Sequence, residues 1–151
     1  MAEQTTFDFS DFEKRFRKVA LTRIPELLEK GLGRAMLVLL GDCVMQVPTV
    51  PIKEGWLRGS GSVFVQGKLA GISTHGKPGR AAKSLGMPIK AGELLGVIGF
   101  NTPYAAKLHE GIGLKFSEPS AGPKYLESKL HRNRASYMAE VADTVKEGGD
   151  A

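Results

Sequence analysis

Residues 97–110 read V-I-G-F-N-T-P-Y-A-A-K-L-H-E. The apolar residues that open this stretch, with Leu94 just before it, predict a buried strand. Asn-Thr-Pro at 101–103 ends the strand, and a short amphipathic turn with Tyr104 and Leu108 follows. The sequence therefore predicts a corner between a core strand and a helix.

The corner ends in two polar side chains able to carry chemistry, His109 and Glu110. They could form an acid–base pair or bind a metal. Against this, adjacent residues of a helix point in different directions, and His75 and His131 make no ligand spacing with His109. The chain also lacks a nucleophile elbow, a phosphate loop and a dinucleotide fingerprint. We therefore expect no enzyme activity, no cofactor and no bound metal.

The composition is that of a soluble globular protein. The 151 residues fit one domain, and 42% of them are hydrophobic and 25% charged. Cys43 is the single cysteine, and its apolar neighbours predict a small core residue and an intracellular origin. No apolar run approaches the roughly 20 residues that a bilayer requires, so we expect no membrane span and no signal peptide.

Residues 8–47 are predicted to form a helix pair. Ser10 and Glu13 have the spacing of a capping box, and Pro25 is expected to end the first helix and begin the second. An apolar stripe opposite a basic face marks the first helix: Phe9, Phe12, Phe16, Val19 and Ala20. The core-facing residues of the second are Leu28, Leu32, Ala35, Met36, Leu39, Cys43 and Val47.

Three glycines interrupt the second helix, Gly31, Gly33 and Gly41. Each costs about 1 kcal/mol relative to alanine within a helix. Either they mark the close approach of another backbone, or the helix tolerates them.

Residues 56–100 are predicted to be rich in β-structure. Residues 62–66 alternate as a strand should, with Val63 and Val65 on one face and Phe64 on the other. A turn at Gly67 would pair this strand with residues 68–72.

Residues 71–92 are predicted to form a long basic loop or β-arm. The segment from 68 to 90 has no acidic residue, and its cations are Lys68, Lys77, Arg80, Lys83 and Lys90. Such cations bind nucleic acid without sequence preference, or they form a solvated loop that repels its own charges. The net charge of +5 permits either interpretation. Arrayed around a ring, the same loops would create a strongly positive channel.

A C-terminal helix is predicted over residues 123–147, with Pro123 at its first position and Gly148-Gly149 after its end. One side is apolar: Leu126, Leu130, Tyr137, Val141 and Val145. Basic residues crowd the middle: Lys129, His131, Arg132 and Arg134. The chain is thus expected to be a single α+β domain over residues 1–151, with these helices packed on a small antiparallel sheet.

Four blocks, in order, resemble the head–tail connector or tail-completion (neck) proteins of long-tailed bacteriophages. They are the helix pair that ends at Val47-Pro48, G-W-L-R-G-S at 55–60, G-F-N-T-P-Y-A at 99–105 with H-E-G at 109–111, and G-P-K-Y-L-E at 122–127. The second and third are similar to the family patterns T-G-x-L-R-x-S and G-x-N-x-x-Y-A-x-x-x-E-x-G. Glu54 departs from the family's threonine before the glycine, and a proline-rich stretch follows Val47.

The resemblance implies a virion structural protein, made in the cytoplasm of the bacterial host, that forms a homo-oligomeric ring at the head–tail junction. Its partners would be further copies of itself, a portal or adaptor protein, and a tail terminator or tail tube protein. Contact with the packaged double-stranded DNA would be non-specific, and no membrane is involved.

Within such a ring, Leu57 and Tyr104 would hold the corner, and Arg58 and Glu110 would form ion pairs within or between subunits. Lys77, Arg80, Lys83 and Lys90 would face the DNA channel or an acidic neighbour. The other motif positions assigned to folding and assembly are Asn101, Tyr125 and Leu126.

An alternative function follows from the charge alone. A small basic protein could bind nucleic acid outside any virion through the same five cations. Salt-sensitive DNA binding by the isolated monomer would distinguish this function from the first.

Overall fold

The structure, a computed structural model, describes residues 10–52, 55–77, 89–111 and 113–149, without the side chain of Phe12. The elements follow in this order: α1 Ser10–Lys18, a π-helical turn Val19–Arg23, α2 Ile24–Met45, α3 Trp56–Gly59, β1 Gly61–Val65, β2 Lys68–Ile72, β3 Gly96–Phe100, α4 Ala105–Glu110, α5 Glu127–Arg132 and α6 Arg134–Gly149.

Helix α2 begins with Pro25 in its first turn, as predicted. The expected break before it is wrong, because the chain stays helical from α1 through α2. Lys18, Arg23 and Ile24 all have right-handed helical angles. The Ile24 N–H donates to the carbonyl oxygen of Val19, five residues back. Proline lacks the N–H of the α-helical pattern, and the wider π turn before Pro25 accommodates it within one continuous helix.

The apolar stripe of α1 does not pack on the sheet as predicted. Phe16 is 61% exposed and Val19 is 44% exposed. Phe9 and the side chain of Phe12 lie outside the described part of the chain. The periodicity located one face of the helix, but among the described residues it leaves Phe16 and Val19 largely exposed.

Helix α2 packs antiparallel against α6. Near the middle of α2, a Cβ on Gly31 would lie 3.0 Å from the Cα and carbonyl oxygen of Val141. Gly41, in contrast, has no atom of the described residues within 4 Å of such a Cβ. Gly31 therefore marks a close approach of two backbones, whereas α2 merely tolerates Gly41.

The sheet has three antiparallel strands in the order β2-β1-β3. Gln66 and Gly67 connect β1 to β2 with positive φ angles of 51° and 76°, which match the right-handed twist of a hairpin. Every residue of the central strand β1 is buried, including Phe64. Strand β3, predicted to be buried, is half-buried because it lies at an edge of the sheet.

The core lies between α2, the sheet and the segment that leads into α5. Its buried residues are Ala35, Leu39, Cys43, Val50, Leu57, Ala105, Tyr125 and Tyr137. Cys43 is fully buried there, as predicted, and burial raises the pKa of its thiol to about 12.

The C-terminal helix differs from its prediction at both ends and in the middle. Residues 123–126 form turns, α5 begins only at Glu127, and Asn133 separates α5 from α6. Helix α6 continues through Gly149. Leu130, expected on the apolar side, is 43% exposed.

Helices and a small antiparallel sheet make this an α+β fold, as the sequence predicted. Across the described ranges, no helix combines the length and apolar character needed to cross a membrane.

Candidate assembly corner

Three sequence blocks that lie far apart in the chain meet at one corner, which we call the motif corner (residues 55–60, 99–111 and 122–127). The Asn101 N–H donates to the Ser60 hydroxyl oxygen at 3.0 Å. The Lys124 N–H donates to the carbonyl oxygen of His109 at 2.7 Å. These two hydrogen bonds join the end of β3 to the turn after α3, and the end of α4 to the segment before α5.

Tyr125 is the central side chain of the motif corner. It is 2% exposed, and its ring packs edge-on against Phe100 and His109, with centroids 5.4 Å and 4.9 Å away. Its hydroxyl donates to the carbonyl oxygen of Ala105 at 3.1 Å. Burial raises the pKa of the phenol, so the donor hydrogen stays in place.

The two residues expected to hold the corner behave differently. Leu57 is 3% exposed and lies in the core, and Leu126 packs against that core. Tyr104 is 42% exposed in the single chain, and its role in holding the corner within a ring stays a prediction. Tyr104 immediately precedes α4, and Tyr125 occupies the buried position instead.

Arg58 joins the motif corner to two loops of the same chain. Its Nε donates to the carbonyl oxygen of Val50 at 2.7 Å, and its Nη2 lies 3.0 Å from Glu118 Oε2. The Arg58 side chain is only 14% exposed. Its ion pair is therefore within the subunit and partly shielded from solvent.

His109 and Glu110 contact each other, contrary to the expectation that their side chains diverge. His109 Nδ1 lies 2.9 Å from Glu110 Oε1. The Lys124 ammonium contacts Glu110 and lies 2.9 Å from Glu127 Oε2. Hydrogen bonds from Lys124 and then His109 hold the pKa of Glu110 below its usual value. Glu110 is the last residue of α4, and its carboxylate contacts both the His109 ring and the Lys124 ammonium.

The same cluster contains the group in the described chain best able to bind a metal ion, since ligand atoms of His109, Glu110 and Glu127 lie within 4.8 Å of one another. However, His109 Nε2 accepts the Glu127 N–H at 3.4 Å, so Nδ1 carries the hydrogen donated to Glu110. The Lys124 ammonium already bridges the two carboxylates. In this structure the cluster is therefore an internal charge network, in which Lys124 bridges the two carboxylates and His109 contacts one of them.

The described cations of the predicted basic loop do not form one patch. Lys68 begins β2 and Lys90 lies near the same Gln66-Gly67 turn, and both are exposed. Lys77 lies at the other end of the hairpin, where its ammonium is 5.0 Å from the Trp56 ring centroid.

The loop is also shorter than predicted. Residues 71–72 belong to β2, and the Lys77 N–H donates to the carbonyl oxygen of Gly55. Arg80 and Lys83 lie outside the described residues.

Lys129 is a structural residue that sequence reasoning missed. Its side chain is fully buried, and its ammonium donates to the carbonyl oxygens of Pro48 and Tyr125 and to the Ser128 hydroxyl. Burial lowers the pKa of this ammonium. Its spacing of four from Tyr125 and three from Leu126 places it on the apolar face, which was the signal available in the sequence.

A groove of about 610 Å³ opens beside the motif corner. Its lining is mostly apolar: Pro51, Gly55, Leu57, Tyr104, Lys107, Leu108, Leu114, Lys115, Phe116 and Ser117. The exposed Tyr104 lines this groove. The sequence did not predict that position.

Comparisons of the chain with protein-family models, with curated proteins and with solved structures found no match.

Proposed function

We propose that this protein is a structural subunit of a tailed-bacteriophage virion. It forms a homo-oligomeric ring at the head–tail junction, joins head to tail and surrounds the path of the DNA. The observation that supports this function is the convergence of the motif blocks on one corner, through Asn101–Ser60, Lys124–His109 and Tyr125–Ala105 hydrogen bonds. Three of the four blocks that resemble the connector family thus lie together in one structural unit.

The sheet provides edges that neighbouring subunits could use. Strand β2 lies at an edge, and Leu69 and Ile72 on it are 53% and 48% exposed. An edge strand presents backbone donors and acceptors that another chain can pair with. In the ring, the cations near the hairpin would face the DNA or an acidic neighbour.

Electron microscopy tests this function directly. The protein, purified alone and together with a portal or tail tube protein, should form closed rings or join particles. Leu69→Lys with Ile72→Lys should reduce ring formation while leaving the folded circular-dichroism spectrum intact. Met138→Lys is the matched control, because Met138 is 62% exposed on α6, away from the sheet. A protein that stays monomeric at all concentrations and never joins particles would refute the proposal.

The second candidate is nucleic-acid binding outside a virion. The exposed Lys68 and Lys90 on one side of the Gln66-Gly67 turn favour it. The monomer should then bind duplex DNA with an affinity that falls with salt by a logarithmic slope of about 0.9 per phosphate contact. Lys68→Ala with Lys90→Ala should lower that slope, and an unchanged slope would exclude these two residues as the interface.

A further inference from the structure

The groove beside the motif corner has the size and chemistry of a binding site. Its volume of about 610 Å³ is typical of sites that enclose a ligand or a few side chains of a partner. Two of the residues that line it, Tyr104 and Leu114, are 42% and 41% exposed. The groove thus leaves large apolar side chains partly accessible to solvent.

The charged residues of the groove indicate the chemistry of the segment that would bind there. Lys107 and Lys115 are the charged side chains among the described lining residues, which include no acid. Two ammonium groups around an apolar floor favour a segment that combines large apolar side chains with a carboxylate.

This chain itself contains such a segment. Residues 7–9 are Phe7-Asp8-Phe9, an acid between two aromatic residues. The aromatic side chains match the apolar floor, and Asp8 matches the two lysines.

A chain cannot place this segment in its own groove. The groove lies at the Cys43 end of α2, because Val50 next to the lining residue Pro51 donates its N–H to the Cys43 carbonyl oxygen. Ser10 lies 33 residues before Cys43 in one continuous helix. At 1.5 Å per residue this separates the two residues by roughly 50 Å. Three extended residues from Ser10 back to Phe7 span only about 11 Å.

We propose that residues 7–9 of one copy bind in the groove of a second copy. Asp8 pairs with Lys107 or Lys115, and the aromatic side chains pack against Leu114 and Phe116. This inference rests on the self-assembly in the proposed function and specifies one contact of it. The two surfaces differ, so each copy donates one segment and accepts another, and such head-to-tail contacts produce rings when the rotation closes.

Cysteine cross-linking in the full chain tests the contact. Thr6→Cys protein, mixed with Ser117→Cys protein under mild oxidation, should give a disulfide-linked dimer on a non-reducing gel. These substitutions leave the lysines, Asp8 and both phenylalanines in place. The native Cys43 can stay, because it is fully buried and its thiol pKa is raised to about 12.

The matched control replaces Ser117→Cys with Ala142→Cys. Ala142 is exposed on α6, beside the residues that pack on Gly31, and it should give no dimer with Thr6→Cys. With Thr6→Cys and Ser117→Cys in one chain, the product should be a ladder of linked copies. An internally linked monomer would overturn the inference.

Charge reversal provides a second measurement. Lys107→Glu with Lys115→Glu should lower the initial cross-linking rate about two- to five-fold, the range expected for exposed ion pairs. Adding Asp8→Lys to the donor chain should restore the rate. A rate unaffected by either change would refute the charge pairing.

Mass photometry of the same samples separates the two proposals. Rings without the Thr6–Ser117 cross-link would overturn this inference and leave the proposed function standing. Monomers alone at every concentration would refute both.

Discussion

The hydroxyl of Tyr125 donates a hydrogen bond to the carbonyl oxygen of Ala105 at 3.1 Å, across 20 residues of sequence. This bond joins the segment before α5 to the first turn of α4. Both residues are buried in the same core cluster. The bond therefore connects the last motif block to the corner block inside the protein rather than at its surface.

Tyr125→Phe should lower the free energy of unfolding by about 1–2 kcal/mol, because it removes one buried hydrogen bond and keeps the ring. Tyr125→Ala should cost about 3–5 kcal/mol, since it also leaves a cavity. Urea denaturation followed by circular dichroism measures both. Tyr104→Phe, at a 42% exposed position, is the control and should change little; an equal loss there would contradict the central role of Tyr125.

Gly31→Ala and Gly41→Ala should have opposite effects. At Gly31 the new methyl would meet the backbone of Val141 at 3.0 Å, so α2 and α6 must separate at a cost of about 1–3 kcal/mol. At Gly41 the methyl meets nothing within 4 Å, and the higher helix propensity of alanine should add about 0.5–1 kcal/mol. Thermal unfolding of both variants measures the difference. Stabilisation by Gly31→Ala would contradict the close helix packing.

Lys129→Met should lower the free energy of unfolding by about 1–3 kcal/mol, because it leaves the buried carbonyl oxygens of Pro48 and Tyr125 without their donor. Methionine keeps most of the side-chain volume, so the loss of unfolding free energy measures the contribution of the hydrogen bonds. Lys146→Met, on the exposed surface of α6, is the matched control and should be close to neutral. Equal unfolding midpoints for the two variants in urea would refute the structural role of Lys129.

Glu110 should titrate below its ordinary pKa of 4.5, because Lys124 and then His109 stabilise its carboxylate. A carboxyl group whose pKa is lowered in the folded state stabilises the fold above pH 4.5 and loses that contribution as the pH falls through the folded pKa. NMR of the side-chain carboxyl carbon gives the midpoint directly. Lys124→Met should move the midpoint upward, whereas Lys115→Met should not; no movement in Lys124→Met would refute the pairing.

Local signals predicted much of this fold correctly. The alternating residues of β1, the Gln66-Gly67 turn and the strand-to-helix corner each follow from short-range rules. The burial of Cys43 also agrees with its apolar sequence neighbourhood. These features depend mainly on residues within a few positions, so a single sequence contains enough information.

The environment of several side chains could not be predicted in this way. Periodicity placed Phe16 on an apolar face but could not show that its side chain would be 61% exposed. Likewise, the sequence offered two tyrosines for the corner, and only the packing of distant segments buries Tyr125 and leaves Tyr104 on the groove.

The sequence by itself therefore determined the α+β class, the order of most elements and the position of the corner, because hydrophobic period and turn residues act locally. The tertiary structure alone decided that Lys129 is buried and that Lys124 joins Glu110 to Glu127. It also showed that Gly31, and not Gly41, meets another backbone. These outcomes depend on which distant segments come within a few ångströms, and neither spacing nor composition contains that information.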